Sequence, residues 1–318
     1  MSSVGLPQAL LYYRYAPMWR AFFEALGIQA VISPPTTSET LTRGAARVVP
    51  ETCLPVKIYC GHVLSLVGRV DCVFIPSVHG LHPGTHNCAK LIGLPDLIAN
   101  VLPDAPLLTV DVETERLWPS LPQLALLLGK YWLVNPLSLR KALERAREAQ
   151  DAYQNRLLEG VDPPQAMDAT EPDPVPASAP LTVAVVGHPY NLYDDYATHR
   201  LLARLRALGV RVRTSDSVHP ADRWSGVEEL VRTPYWTFED EVVGASSRLL
   251  RQRVDGLVSV SAFGCAPDSV MLSVLAQAAQ RANRPYMALV LDEHSGQAGL
   301  ITRLEAFVDM LYRRKEKT

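Results

Sequence analysis

The strongest constraint on the fold is an alternation of short apolar runs with helix-like stretches, which occurs in both halves of the chain. Strands of this kind, nearly continuous in Val, Leu and Ile and separated by helices, are typical of parallel sheets covered on both faces. The pattern predicts an α/β protein made of two doubly wound domains, Rossmann-like or flavodoxin-like. The predicted strands are Val4–Leu6, Ala30–Ser33, Cys72–Ile75, Leu107–Val110, 181–187, 210–215, 256–262 and 286–292.

Helices are predicted between the strands, and several of them begin at a proline. Proline is tolerated in the first turn of a helix, where its missing N–H leaves no hydrogen bond unmade. The predicted helices are Ala16–Leu26 beginning at Pro17, Leu54–Val67 near Pro55, Leu94–Val101 near Pro95, the charged stretch 135–160, and a final helix beginning near Leu300.

A proline-rich segment separates the two halves of the 318-residue chain. Residues 161–180, VDPPQAMDATEPDPVPASAP, carry six prolines and four acids but no basic residue. Such a segment has little to bury and is expected to be an extended linker. We therefore predict an N-terminal domain at 1–134, a connecting helix at 135–160, the linker at 161–180 and a C-terminal domain at 181–318.

Composition excludes several classes of function. The formal net charge is −2, so the chain lacks the basic surface expected of a protein that binds nucleic acid or an anionic membrane. No apolar stretch approaches the roughly 20 residues that span a bilayer, and the N-terminus lacks the pattern of a signal peptide. We expect a cytoplasmic protein.

The five cysteines fall into two groups. Five is an odd number and no C-x-x-C pair occurs, which argues against a disulfide framework or a zinc ribbon. Cys53, Cys88 and Cys265 each lie on a connection between a strand and a helix, where three ligands could converge on one site. They could equally be three unrelated buried thiols. Cys60 and Cys72 are expected to fill the core, with Cys60 as a reserve ligand.

Other chemistry is less well supported by the residue pattern. His79, His82 and His86 could bind zinc, but they lie in one irregular loop that no helical face presents. A nucleophilic Cys265 would need a histidine base such as His188 or His294. Neither G-x-G-x-x-G nor G-x-x-x-x-G-K-[ST] occurs, so ATP hydrolysis by this chain is not expected.

Five segments carry a resemblance to a known family. VGLPQALLYYRYAPMWRAFFEALG, ETCLPVK, VVGHPYNLYD, AFGCAPDS and LDEHSGQAGLITRLEAFVDML occur between residue 4 and about residue 311. Together they resemble the acyl-CoA dehydratase activase-related proteins, a branch of the 2-hydroxyacyl-CoA dehydratase superfamily (2-hydroxyglutaryl-CoA dehydratase D-component-like).

The resemblance implies a redox function. Superfamily subunits hold a [4Fe–4S] cluster by three cysteines in the cleft between domains, here Cys53, Cys88 and Cys265, and some members carry a larger double-cubane cluster. The implied electron donor is an ATP-hydrolysing activase-type iron–sulfur protein, and the implied substrate is an acyl-CoA or another small molecule. A second copy of the chain or a related subunit is a further implied partner. The chain would then be an activase-coupled reductase or a dehydratase component.

Three alternatives remain open at this point. The first is the redox protein just described, the second is a non-catalytic accessory protein that stores, delivers or relays through a cluster, and the third is a structural zinc or plain binding module. The single short chain differs from the paired, larger dehydratase subunits, so dehydration itself is not predicted. Residues expected to tune the cluster or position a substrate are Lys57, His188, Tyr190, Asp268 and His294, although Asp268 and Ser269 could simply cap a helix.

Overall fold

The chain divides into two compact units. The computed structural model describes residues 2–112, 119–168, 170, 179–231 and 233–317. Unit 1 comprises Met1–Asn155 and Tyr235–Thr237, and unit 2 comprises Arg156–Pro234 and Phe238–Thr318.

Unit 1 is built on a parallel sheet of four strands in the order β2-β1-β3-β4. Helices separate the strands along the chain, and the last helix continues to Leu158. Its elements are β1 (Ser3–Leu6), α1 (Tyr12–Ala25), β2 (Gln29–Ile32), α2 (Ser38–Ala45), α3 (Leu54–Leu66), β3 (Cys72–Val78), α4 (Ala89–Ile92), α5 (Leu94–Val101), β4 (Leu107–Val112), α6 (Leu121–Leu128) and α7 (Pro136–Leu158).

Unit 2 has the same strand order, β6-β5-β7-β8, and its strands are also parallel. Its elements are α8 (Pro163–Asp168), β5 (Leu181–Val186), α9 (Pro189–Leu192), α10 (Leu201–Ala207), β6 (Val210–Thr214), a 3₁₀ turn (Ser215–Ser217), α11 (Pro220–Leu230), a π-helical turn (Asp240–Gly244), α12 (Ala245–Arg251), β7 (Gly256–Ala262), α13 (Ala266–Arg281), β8 (Tyr286–Leu291) and α14 (Gln297–Glu316).

The predicted fold class, two doubly wound parallel sheets, is confirmed. Strands β3 and β7 are buried at every residue, because neighbouring strands and helices cover both of their faces. In unit 1 the chain places β2 on one side of β1 and then β3 on the other, so the strand order changes direction between β1 and β3. In unit 2 it changes direction between β5 and β7 in the same way. Crevices outside the carboxyl ends of these strands are where doubly wound proteins bind ligands.

Helix α1 differs from its predicted bounds. It begins at Tyr12, and Pro17 lies inside the helix, not at its start. Pro17 has no N–H to donate to the carbonyl of Tyr13, which would otherwise be left without that hydrogen bond. The hydroxyl of Tyr153 in α7 donates to this carbonyl at 2.5 Å instead. The interior proline is therefore accommodated by a partner that lies far away in the sequence.

Helix α2, which apolar periodicity does not predict, crosses α3 at close range. Only Leu41 and Gly44 of α2 are buried, but Thr37 and Thr40 form a capping box at its start. A Cβ atom added to Gly44 would lie 1.9 Å from the carbonyl oxygen of Lys57, and one added to Gly61 would lie 2.0 Å from the carbonyl oxygen of Thr40. The crossing therefore requires glycine on both helices, and it fixes the helix that Cys53 begins.

We expect Gly44→Ala to lower the free energy of unfolding by about 1–3 kcal/mol, because the added methyl group forces α2 away from α3. Gly299→Ala is the matched control, since nothing lies within 4 Å of a Cβ at that helical position. Urea-induced unfolding followed by circular dichroism measures both variants. Equal stability of Gly44→Ala and the parent chain would contradict the close crossing.

Two further expectations concern the linker and membranes. Of the predicted linker at 161–180, residues 169 and 171–178 lie outside the described residues, and Pro163–Asp168 forms α8. In the described part of the chain, no helix combines the length and apolar character needed to cross a bilayer.

Candidate functional site

Two of the predicted cysteine ligands begin helices in unit 1. Cys53 precedes α3, where Pro55 stands in the first turn, and Cys88 precedes α4. Both cysteines are partly exposed residues. Because α3 and α4 run back from the carboxyl edge of the parallel sheet, their first residues lie at the edge where ligands bind.

The surroundings of Cys53 show that these two cysteines are electrostatic neighbours. Burial raises the pKa of the Cys53 thiol, and the charge of Cys88 raises it further. The charge of Lys90 and a hydrogen bond from the backbone of Val56 lower it. Two thiolates at this position would repel each other unless a cation lay between them.

The loop that carries Cys88 is held by Tyr235–Thr237, a segment of unit 1 that is distant in sequence. The N–H of His86 donates to the carbonyl of Tyr235 at 2.9 Å, and the N–H of Thr237 donates to the carbonyl of His86 at 2.9 Å. The hydroxyls of Thr85 and Thr237 lie 3.0 Å apart. This pairing fixes the loop just ahead of Cys88.

The three histidines of this loop have different surroundings. The ring of His79 lies 3.2 Å from the hydroxyl of Ser77, the ring of His86 packs on Tyr235, and the carbonyl of His82 accepts a hydrogen bond from Thr85. These contacts do not present the three imidazoles as a common ligand set.

Cys265 begins α13 in unit 2, directly after β7. Gly264 has a positive φ of 76°, which turns the chain sharply between the strand and the helix. Cys265 is partly exposed, and its carbonyl accepts hydrogen bonds from the N–H and the hydroxyl of Ser269. The opening turn of α13 is thus well ordered by local hydrogen bonds.

Cys60 and Cys72 are fully buried, as expected of core residues. Burial raises the pKa of each thiol to about 12, so both remain protonated near neutral pH. Cys53, Cys88 and Cys265, in contrast, are partly exposed residues.

A complete metal site is not formed by side chains in the described ranges. Among those residues, no group of three or more His, Cys, Asp or Glu side chains is arranged to hold a metal ion. The structure brings Cys53 and Cys88 together in unit 1, and it places Cys265 in unit 2. The three-cysteine ligand set stays a prediction.

A buried histidine and two carboxylates form the most polar cluster of unit 2. The Nδ1 atom of His188 lies 2.8 Å from Glu241 Oε2, and its Nε2 atom lies 3.0 Å from Asp268 Oδ1. All three side chains are at least nine-tenths buried. The imidazole stacks on Tyr190 at 5.2 Å and meets Phe238 edge-on.

Hydrogen bonding determines how many protons this cluster holds. A neutral imidazole has one N–H, so two contacts with carboxyl oxygens need two protons among the three groups. Burial by itself lowers the pKa of His188, but the charges and hydrogen bonds of Asp268 and Glu241 outweigh it and raise that pKa to about 10. At neutral pH His188 therefore carries a proton on both ring nitrogens and donates to Glu241 and to Asp268.

The cluster links three elements at the carboxyl edge of the unit 2 sheet. His188 follows β5, Glu241 lies in the π-helical turn, and Asp268 lies in the first turn of α13. It therefore anchors the turn that begins with Cys265. Asp268 Oδ1 contacts a histidine, and its buried Oδ2 has no hydrogen-bond partner among the described residues, so a simple capping role does not describe this residue.

Sequence reasoning identified His188, Tyr190 and Asp268 but missed Glu241. The available signal was the acidic run Glu239-Asp240-Glu241 directly before Val242 and Val243, since acids beside an apolar stretch are unusual. All three acids of this run are buried. A buried carboxylate requires a partner. The carboxylate of Asp240, the residue before Glu241, lies 3.1 Å from the buried Nε of Arg223.

The other two predicted tuning residues lie elsewhere. Lys57 is buried in α3 and its Nζ donates to the carbonyl of Pro50 at 2.7 Å, which holds the loop ahead of Cys53. His294 is exposed, and its backbone N–H donates to Asp292.

Comparison with known proteins places the chain in a family. The sequence pattern described as "CoA enzyme activase uncharacterised domain" matches residues 3–218, which is more than half of the chain. No curated protein matches in sequence. A tagatose-6-phosphate ketose/aldose isomerase from Escherichia coli is a structural match with a TM-score of 0.21 and 11% identity, covering 98% of this chain and 79% of that one. A similarity that low carries no argument about function. The match over residues 3–218 shows that the chain belongs to the CoA enzyme activase uncharacterised domain family.

Proposed function

We propose that this chain is an iron–sulfur redox protein that works with a CoA enzyme activase. Cys53, Cys88 and Cys265 would hold a [4Fe–4S] cluster. An ATP-hydrolysing activase would supply low-potential electrons, and an acyl-CoA or another small molecule would receive them. A bound cluster supplies single-electron transfer, and a three-cysteine set leaves one iron open to a further ligand.

One observation carries the proposal, namely the division of the cysteines by exposure and position. The three proposed ligands are partly exposed and each stands immediately before a helix, whereas the remaining two are completely buried. Core thiols need no access to solvent, but metal ligands must be reachable during loading. Membership of the activase-associated family supports the same assignment.

The chemistry of the donor set fits a cluster. Thiolates are the ligands that iron–sulfur clusters use, and a cationic iron centre would remove the repulsion between Cys53 and Cys88. The N-terminal ends of α3 and α13 offer backbone N–H groups and a positive dipole end, which favour the thiolate form.

The surrounding residues would position the ligands. Lys57 fixes the loop ahead of Cys53, and the Tyr235–Thr237 segment fixes the loop ahead of Cys88. The His188 cluster holds Asp268 in the first turn of α13, the helix that Cys265 precedes. Such contacts tune a metal centre by restricting the orientation of its ligands.

The direct test is anaerobic purification followed by reconstitution with iron and sulfide. We expect a brown protein whose visible absorbance bleaches when a reduced, ATP-hydrolysing CoA enzyme activase is added with ATP, and not with a non-hydrolysable ATP analogue. A colourless protein that holds zinc, or no metal after reconstitution, would contradict the proposal.

A second measurement separates an enzyme from an accessory protein. With the cluster reduced, an enzyme consumes an acyl-CoA or another small acceptor over many turnovers. An accessory protein transfers its electron or its cluster to a partner chain once and consumes no small molecule.

A further inference from the structure

A buried asparagine stands directly before one of the proposed cluster ligands. Asn87 is 6% exposed, and it lies in the loop that joins β3 to α4. Its backbone N–H donates to the carbonyl of His79 at 2.8 Å, and its neighbour His86 pairs with the Tyr235–Thr237 segment. The position of the Asn87 backbone is therefore fixed by contacts within unit 1.

The side-chain amide of Asn87 has a fixed orientation. Its Oδ1 atom accepts a hydrogen bond from the backbone N–H of Cys88 at 2.8 Å. Only the oxygen of an amide group can accept such a bond, so this contact decides which way the amide is turned. Because Nδ2 belongs to the same planar group, it also lies beside Cys88.

The Nδ2 atom of Asn87 has hydrogens to donate but no acceptor for them. It is buried, and it has no hydrogen-bond partner among the described residues. Buried amide groups are normally hydrogen-bonded, and Nδ2 can donate two such bonds. The carbonyl of Cys88 does not meet this need, because it already accepts from the N–H groups of Leu91 and Ile92.

A sulfur atom of a bound cluster is a suitable acceptor for Nδ2. Cys53 and Cys88 are electrostatic neighbours, and hydrogen bonds to the sulfurs of a cluster are one of the factors that set its potential. Asp268 Oδ2, three residues after Cys265, is also buried without a partner in the described part of the chain. An ionised carboxylate only accepts hydrogen bonds, so of these two atoms only Asn87 Nδ2 can donate to sulfur.

We propose that Asn87 Nδ2 donates a hydrogen bond to a sulfur atom of the cluster beside Cys88, and that this bond favours the reduced cluster. Reduction adds one electron and no proton, so the negative charge on the sulfurs increases and the hydrogen bond becomes stronger. Loss of the bond should therefore lower the reduction potential. This inference rests on the function proposed above, and it gives Asn87 a role in setting the potential at which the cluster accepts its electron.

Pulsed electron paramagnetic resonance of the reduced cluster tests the contact directly. The full chain is prepared with ¹⁵N in its asparagine side chains and is reconstituted anaerobically with iron and sulfide. We expect a ¹⁵N coupling to the cluster in the parent chain and its loss in Asn87→Leu. Asn100→Leu is the matched control and should keep the coupling, because Asn100 is an exposed asparagine of the same unit whose Nδ2 already donates to the carbonyl of Asp96.

The reduction potential of the cluster is the second measurement. In Asn87→Leu the preference for the reduced form should weaken about tenfold, which is about 59 mV for one electron. Asn87→Asp keeps an oxygen for the N–H of Cys88 but loses the donor and adds a negative charge. It should also lack the ¹⁵N coupling, and its potential should fall at least as far. This second variant provides the result if Asn87→Leu does not fold.

Several results would overturn the role of Asn87 and leave the proposed function intact. They are a parent cluster without asparagine coupling, a coupling that survives in Asn87→Leu and Asn87→Asp, or a parent-like potential in both variants. Loss of the cluster from both variants would also overturn it, since Asn87 would then hold the loop in place and not set the potential. A parent chain that binds no cluster would overturn both proposals.

Discussion

Cys265→Ser is expected to abolish retention of the cluster. The anaerobically reconstituted parent chain should hold about four irons and four sulfides, whereas the variant should hold close to none. Serine keeps the size of the side chain but is a poor ligand for a soft metal centre. Cys53→Ser and Cys88→Ser should give the same loss, because two thiolates rarely retain such a cluster.

The buried cysteines provide matched controls. Cys60→Ala and Cys72→Ala remove thiols that are 0% exposed, so they should retain iron provided that circular dichroism shows a folded chain. Alkylation followed by mass spectrometry supplies a second measurement. The metal-free chain should be labelled at Cys53, Cys88 and Cys265, and the loaded chain at none of the five. A loaded chain that is still labelled at Cys265 would contradict its role as a ligand.

His188→Leu is expected to cause the largest loss of stability, about 3–5 kcal/mol in the free energy of unfolding. The substitution removes the imidazolium and leaves Glu241 and Asp268 buried beside each other without a cation. Urea-induced unfolding of the whole chain measures the effect. His294→Leu replaces an exposed histidine of the same unit and should change stability by less than about 0.5 kcal/mol.

A combined variant tests the physical reason. If unpaired carboxylates cause the loss, His188→Leu with Glu241→Leu and Asp268→Leu should be more stable than His188→Leu alone, because no charge is then left buried. Further destabilisation in the combined variant would show that packing, and not charge, dominates.

The same cluster predicts how stability depends on pH. The folded-state pKa of His188, about 10, lies above its ordinary value of 6.5, so its stabilisation is fully present below about pH 6.5 and is lost as the pH rises toward 10. The pKa of His62 is shifted in the opposite direction. It is buried between the hydroxyls of Ser33 and Thr36, and burial lowers its pKa to about 4.

Stability should therefore also fall as the pH drops from 6.5 toward 4, where the neutral His62 becomes protonated. Urea midpoints measured between pH 4 and pH 10 separate the two histidines. His62→Gln should reduce the loss of stability at low pH and leave the loss at high pH unchanged. His188→Leu should instead remove most of the loss of stability at high pH. An alkaline-side loss of the parent's size in His188→Leu would refute this assignment.

The strands were predictable because their signal is local. A strand covered on both faces must be apolar at nearly every position, so 256–262 and 181–187 can be recognised without knowledge of their neighbours. Helix Leu94–Val101 has its predicted bounds for the same reason, since its proline and its apolar positions lie within a few residues. In contrast, α2 depends on a two-glycine crossing with α3, which no local pattern shows.

The candidate site was only partly predictable. The same pattern, Gly-x-Pro-x-x-Leu, occurs where β1 and β5 end, at Gly5–Leu10 and Gly187–Leu192, and it marks two corresponding positions in the two units. It does not show that His188 would meet Glu241, which is 53 residues away. It also does not show that Pro7, Tyr59 and Pro76 would line one small cleft.

By itself, the sequence determined the fold class and the position of each strand. It also distinguished the cysteines that stand before helices from those that lie within apolar runs. Each of these follows from the chemistry of neighbouring residues. The tertiary structure alone decided the partners of buried polar groups, including the carbonyl freed by Pro17, the carboxylates around His188 and the unmatched hydroxyl of Tyr59. The reason is physical, because a buried polar group requires a partner but does not specify where along the chain that partner lies.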